Sequence, residues 1–264
     1  MDYGKICEQV CSIARSAGEY IAREREGFAL SDIEQKGRHN LVSYVDKTAE
    51  KQIVAALREL LPGSGFITEE GSATASDEEF KWIIDPLDGT TNFVHGLPPY
   101  STSIALQQGG EIVVGVVYEV CLREMFYAWK GSEACMSSDA CLNGKVIRAS
   151  EVRRVENSLI AVGFSYAASQ ASGDHMERMG RYQRTSDGIR RLGSSAVDAV
   201  YVSCGRLDAF VQSGLAPWDI AAGALIVQRA GGRVTDFKGG EDYLFGGEFV
   251  ATNPYIYDEF MRTI

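Results

Sequence analysis

The stretch Trp82-Ile83-Ile84-Asp85-Pro86-Leu87-Asp88-Gly89-Thr90-Thr91-Asn92-Phe93 decides the reading of this chain. Its apolar start, Trp82 to Ile84, predicts a buried strand that ends on two aspartates three residues apart. Carboxylates crowded in this way repel one another and raise their own pKa values unless a cation sits between them. Oxygen ligands suit a hard cation, Mg²⁺ above all. A turn needs one Asp or Asn for its backbone bond, not two flanking a proline, so turn chemistry alone leaves the motif unexplained. The N–H groups of Gly89, Thr90 and Thr91 follow at once and open a predicted helix, and helix starts attract phosphate. A metal loop beside a phosphate cradle points to phosphoryl chemistry.

Around this stretch the chain has 264 residues, 45% apolar and 23% charged. That is ordinary for a globular protein with a substantial core. Its net charge of −10 argues against a nucleic-acid groove, which needs a basic stripe, but not against a small phosphorylated substrate, whose countercharge metal ions can supply. Residues 2–26 carry apolar side chains at helical spacing (Ile6, Val10, Ile13, Ala14, Ala17, Ile21) with charges throughout, which predicts an amphipathic helix rather than a signal peptide or membrane span. The six cysteines form no Cys-x-x-Cys pair and no Cys/His zinc spacing, so Cys7 and Cys11 are expected as core thiols in a reduced, cytoplasmic chain. His39, His95 and His175 lack ligand-spaced partners and are expected to be structural or on the surface.

A second helical pattern starts at Asp46 and stops at Pro62-Gly63. Strands are expected at 100–107, 111–120 and 125–129, with Asn143-Gly144 as a two-residue turn. Beyond that the pattern alternates: strand 158–163, helix 176–184, helix 194–203, strand 207–211, helix 219–229, strands 233–236 and 249–252, helix 256–262. This predicts two tightly packed sub-domains, residues 1–147 antiparallel α+β and residues 148–264 alternating α/β, over a shared cleft.

Read singly, the other acids are bland. Glu69-Glu70 before Gly71 resembles a solvated strand edge, and Asp46 and Asp219 each read as a helix N-cap. Together the pieces say more. Residues 82–93 look like the first signature of the inositol monophosphatase family, Mg²⁺-dependent and lithium-sensitive phosphatases. Pro217-Trp-Asp-Ile-Ala-Ala-Gly-Ala-Leu-Ile-Val-Gln-Arg-Ala-Gly-Gly232 looks like its second. Glu69-Glu70, Lys36, Asn40-Leu41-Val42 and Asp46 fall in family order, so the resemblance spans nearly the whole chain.

The resemblance implies a layered α-β-α-β-α sandwich of the sugar-phosphatase type and a homodimer; net charge and the lack of a long apolar run give the expectation of no nucleic-acid and no membrane partner. It implies that Glu69, Asp85 and the Leu87 carbonyl bind a first Mg²⁺ and that Asp85, Asp88 and Asp219 bind a second. A third is held loosely by Glu69 with Glu70 or Asp46, giving two or three ions per site in a two-metal clamp. Thr90, paired with Asp46, takes the proton of a water near Glu69, while Gly89 and Thr90 hold the phosphate. Sugar hydroxyls are read by Asp88, Gly193, Ser195, Gln212 and Asp219, with Ser165 nearby. Gln212 departs from the family pattern, where Glu is common. An amide donates as well as accepts and carries no charge, which leaves the hydrolytic groups intact and loosens the link to inositol phosphate. The expected activity is hydrolysis of inositol monophosphate or a similar small polyol or sugar phosphate. The alternatives are a 3′-phosphoadenosine phosphatase, a fructose-1,6-bisphosphatase, a histidinol-phosphate phosphatase, or a non-catalytic regulator that keeps the fold.

Overall fold

A computed structural model describes residues 1–29, 33–37, 40–73, 78–131, 139–164 and 172–264, leaving aside the side chains of residues 33–37, 40–42 and 172–175. His39, Ser165 and Cys135, residues 74–77, and the side chains of Lys36 and His175 lie outside the described residues.

The first half runs α1 (Tyr3–Gly27), β1 (Ile33–Gly37), β2 (Asn40–Ser43), α2 (Tyr44–Leu60), β3 (Gly65–Thr68), β4 (Phe80–Asp88), α3 (Thr90–His95), β5 (Ser101–Gln108), β6 (Glu111–Glu119), β7 (Glu124–Trp129), β8 (Cys141–Leu142) and β9 (Lys145–Val146). The second runs β10 (Leu159–Phe164), α4 (Ser172–Thr185), β11 (Gly188–Arg190), α5 (Ser195–Ser203), β12 (Ala209–Ser213), α6 (Pro217–Arg229), β13 (Arg233–Thr235), α7 (Tyr243–Gly246), β14 (Glu248–Thr252) and α8 (Tyr257–Met261). Strands β3 to β9 form a seven-stranded sheet in chain order. A five-stranded sheet has the order β11-β10-β12-β14-β13.

Period-two alternation assigns each sheet face a partner. On β4, Trp82 and Ile84 point to one side and join Val10, Ala14 and Ile21 of α1 and Ile53 and Leu57 of α2. Ile83, between them, points the other way and meets Ala221, Ala222 and Ile226 of α6 and Val200 of α5. The opposite side of α5 and α6 (Ala199, Val202, Ile220, Ala224, Val227) packs on Phe210 and Phe249 of the five-stranded sheet. The outer face of that sheet, through Ile160, Val162 and Val211, is covered by Tyr182 of α4 and Phe260 of α8. The result is the α-β-α-β-α layering. Helix α6 is apolar nearly all round because it is enclosed by sheets on both sides.

Two expectations need correction. The first sheet is not purely antiparallel, because β3 runs parallel to β4, from Gly65 opposite Lys81 to Thr68 opposite Ile84. Neither Asp46 nor Asp219 is an N-cap. Ser43 and Ala216 hold those positions, and each aspartate sits at the third helical residue with its carboxylate reaching back to the cap N–H, at 2.9 and 2.7 Å. Asn143-Gly144 does turn β8 into β9, with positive φ at both residues. No helix among the described residues is long and apolar enough to cross a membrane.

Because α6 supports both sheets, Ile226→Ala should cost about 2–5 kcal/mol through the cavity it leaves. Urea unfolding would measure this, and a loss below 1 kcal/mol would mean that the helix is not enclosed as described.

Candidate active site

The geometry begins with an irregularity in β4. Residues three apart on a regular strand face opposite sides of the sheet. Here Asp85 pairs with Ser103 and Asp88 with Ser101, so the Pro86-Leu87 step carries an extra residue as a bulge. The bulge brings both carboxylates to the same end of the sheet. It is held by Thr102 Oγ1, which donates to the Pro86 carbonyl at 3.0 Å, and by the Leu87 N–H, which donates to Asp85 Oδ1 at 3.0 Å. Asp219 arrives from the first turn of α6. One carboxylate oxygen from each of Asp85, Asp88 and Asp219 lies within 4.8 Å of the others.

Glu69 follows β3 directly, and its N–H donates to the Ile84 carbonyl at 3.3 Å. This places it beside Asp85, with which it shares a side-chain hydrogen bond. Glu50 of α2, fully buried, accepts from the N–H groups of Glu70 and Ser72 at 2.7 Å each, and so fixes the chain that carries Glu69.

The electrostatics match the crowding. Burial, then the charges of Glu69, Asp88 and Asp219, push the Asp85 carboxyl far above the carboxylate range. Burial, reinforced by Asp88, lifts Asp219 to about 7. Asp88 is raised by burial to about 6, restrained by hydrogen bonds from Ser194 Oγ at 2.5 Å and the Ala196 N–H at 2.8 Å. No lysine or arginine forms an ion pair with this cluster among the described residues. The converging oxygen atoms of buried Asp85 and Asp88 and half-buried Asp219 are a donor set suited to a divalent ion.

Thr90 begins α3, with its Oγ1 3.0 Å from both Asp46 Oδ1 and the Leu87 carbonyl oxygen. Asp46 is buried and takes the Ser43 N–H and hydroxyl on its other oxygen, at 2.9 and 2.7 Å. Gly89 has φ +93°, and a Cβ there would lie 3.1 Å from the Pro99 carbonyl and 3.2 Å from that of Gly193. Only glycine fits this crossing.

A cleft of about 260 Å³ opens beside the cluster, lined on the sheet side by Glu69, Asp88, Gly89 and Thr90 and across from them by Gly193, Ser195 and Gln212. The expected site residues Glu69, Asp88, Gly89, Thr90, Gly193, Ser195, Gln212 and Asp219 therefore share one cleft. Asp85, Leu87 and Asp46 lie just behind it, and exposed His95 is not among its lining residues. Sequence reasoning missed Glu50, Ser194 and Asn92; the Asn92 amide donates to the Pro99 and Leu192 carbonyls at 2.7 Å each and ties the two walls together. It also missed Asp198, buried and lining the same cleft, with Oδ1 lacking a hydrogen-bond partner.

An acid cluster at a bulged strand end, faced by a helix start across a small cleft, defines a metal-dependent class of site in a layered α/β fold. The model of the inositol monophosphatase family matches residues 2–264, and the chain belongs to that family. It is 41% identical over 244 residues to "Nus factor SuhB" of Escherichia coli K12, covering 92% of this chain and 89% of that one. It is 36% identical over 252 residues to "Inositol-1-monophosphatase" of Mesorhizobium japonicum, covering 95% and 92%. The crystal structure of extragenic suppressor protein suhB from Bartonella henselae superposes with a TM-score of 0.90 at 35% identity, covering 98% of both chains. The family is metal-dependent and acts on small phosphorylated substrates.

The raised carboxyls set a pH dependence. An acid whose folded pKa lies above its unfolded value lets the unfolded chain ionise first, so folded stability falls as pH rises through that window. For Asp88 and Asp219 the window runs from about 4 to about 7. Metal-free protein should therefore lose melting temperature from pH 5 to 7.5 relative to Asp219→Asn, and a divalent cation should cancel the difference. Parallel curves for the two proteins without metal would contradict the electrostatic account.

Proposed function

We propose that this protein is a Mg²⁺-dependent phosphomonoesterase that hydrolyses inositol monophosphate or a similar small polyol or sugar phosphate. The observation that carries the reading is the converging triad of buried Asp85 and Asp88 with half-buried Asp219 at the edge of a small cleft. Asp85, Asp88, Asp219, Glu69 and the Leu87 carbonyl would hold the ions, two or three per site. When bound, these supply positive charge to the phosphate oxygens and lower the pKa of water.

The chain's own groups do the rest. The N–H groups of Gly89 and Thr90 orient the phosphate. The Thr90 hydroxyl donates to Asp46 Oδ1, so that as the Thr90 oxygen takes a proton from the attacking water its own proton passes to the Asp46 carboxylate. Glu69 sits on the same side and shares that task. The P–O ester bond breaks as the water oxygen bonds to phosphorus, and the released alkoxide takes a proton from solvent water in the open cleft to become the alcohol. Asp88, Ser195 and Gln212 line the part of the cleft where that alcohol lies. The site draws on both sequence halves, consistent with sub-domains of 1–147 and 148–264 packed over a common cleft, and the same reading extends to a homodimer.

A second reading comes from the relative named as a Nus factor, in which this chain acts through a macromolecular partner. The complete acid cluster favours the first.

Phosphate release should be measured with inositol 1-phosphate, fructose 1,6-bisphosphate, histidinol phosphate and 3′-phosphoadenosine 5′-phosphate in Mg²⁺. Asp85→Asn and Glu69→Gln should each drop turnover to background with the circular dichroism spectrum retained, and Li⁺ at submillimolar to millimolar concentration should inhibit the wild type. Wild-type rates in either variant would reject the assignment. Silence on every substrate would favour the Nus-type reading.

A further inference from the structure

Helix α5 carries a single charged side chain, Asp198, buried in a run of Ala196, Val197, Ala199, Val200 and Val202. It lies three residues after Ser195, so the two share a face of the helix, and both line the cleft. Asp198 is only 2% exposed, and its Oδ1 has no hydrogen-bond partner. The other cleft acids are held differently. Ser194 and the Ala196 N–H donate to Asp88, and the Ala216 N–H donates to Asp219. For Asp198, burial and then the charge of Asp88 raise the carboxyl well above the usual range, the charge of Arg191 opposes them, and no hydrogen bond contributes.

A place in the first turn of α5 suits an acid, because helix starts attract negative charge. That attraction does not account for the burial, since an exposed acid would gain it as well and it supplies no donor to the carboxyl. A buried polar group with no partner is disfavoured, and in native structures such a group marks a site that something else completes. Gln212, across the cleft on β12, is committed in the opposite sense. Its side chain lies over Gly163, where a Cβ would fall 1.6 Å from Gln212 Oε1, and that Oε1 already accepts from Ser195 Oγ at 3.1 Å. Its NH₂ has no protein acceptor among the described residues. This side of the cleft therefore offers one acceptor, on Asp198, and one donor, on Gln212. An alcohol hydroxyl, which donates one hydrogen bond and accepts others, is the group that uses both.

We propose that Asp198 is a specificity-determining residue that accepts a hydrogen bond from a free hydroxyl on the alcohol part of the substrate, while the Gln212 amide donates to the oxygen of that hydroxyl. This rests on the phosphatase reading above and narrows it to alcohols that carry a further hydroxyl. A phosphate ester without one leaves Asp198 as unpaired as it is in the empty cleft, and a site built to bond a hydroxyl selects against such an analogue.

The test compares kcat/KM for inositol 1-phosphate and cyclohexyl phosphate, the same ring without its hydroxyls, in Mg²⁺, for wild type, Asp198→Ala and Asp198→Asn. Wild type should favour inositol 1-phosphate. Asp198→Ala should lower the ratio of the two at least roughly tenfold, chiefly through KM for inositol 1-phosphate. Asp198→Asn should stand between them, since it keeps the shape and one acceptor oxygen but not the charge. Melting temperatures without substrate separate this role from a structural one. Asp198→Asn should melt no lower than wild type, because the carboxyl it replaces has no protein donor to lose. A ratio near one in wild type, a ratio unmoved in either folded variant, equal losses on both compounds, or a clear fall in the melting temperature of Asp198→Asn overturns the proposal and leaves the phosphatase reading intact. No turnover of either compound by wild type overturns both.

Discussion

Mutual repulsion among Asp85, Asp88 and Asp219 is the constraint to which the surrounding structure answers. Three carboxylates converge within 4.8 Å, two of them buried and that of Asp219 half-buried, with no ion pair to a protein cation among the described residues. A folded chain keeps such an arrangement only if other interactions hold it or a bound ion relieves it. The hydrogen bonds around the cluster orient the carboxylates without neutralising them: the Leu87 N–H on Asp85, Ser194 and the Ala196 N–H on Asp88, the Ala216 N–H on Asp219. Each leaves part of its carboxylate uncommitted, which is the state a metal site requires.

The layers supply the holding force. Asp85 and Asp88 stand on a strand clamped between α1 and α2 on one face and α6 on the other. Asp219 stands on α6, whose two sides are buried against different sheets. Separating the carboxylates would mean moving a strand or a helix that is enclosed on both sides, at several kcal/mol for each large side chain unpacked. Glu50 does for the Glu69 segment what packing does for the others. That segment is a strand end with little core of its own, so a buried carboxylate taking two backbone N–H groups fixes it instead.

Much of this was legible in the sequence because it depends on local pattern. The apolar run at 82–84, the two aspartates, the uniformly apolar α6 and the Asn143-Gly144 turn are all readable within a few residues. What escaped depends on contacts across long separations. Ser194 meets Asp88 across 106 residues and Asn92 meets Leu192 across 100, and no local spacing announces either. The misplacement of Asp46 as an N-cap was avoidable, since Ser43-Tyr44-Val45-Asp46 has the Ser-x-x-acid form in which the acid is the third helical residue. Asp219 offered no such cue, because alanine precedes its helix. The parallel pairing of β3 was hidden by its length, four residues with the helix α2 just before it.

Gln212 acquires a physical reason once the cleft is seen as a whole. Asp198, buried, already lines the same cleft, its carboxyl driven well above the usual range first by burial and then by the charge of Asp88, against the pull of Arg191. A glutamate at 212 would add another anion to a group of acids whose ionisation is already suppressed, raising each further. Glutamine keeps the acceptor that Ser195 needs and removes the charge. Glutamine rather than glutamate at this position thus alters the polarity of that side of the cleft while the acid cluster, built on separate elements, stays as it is.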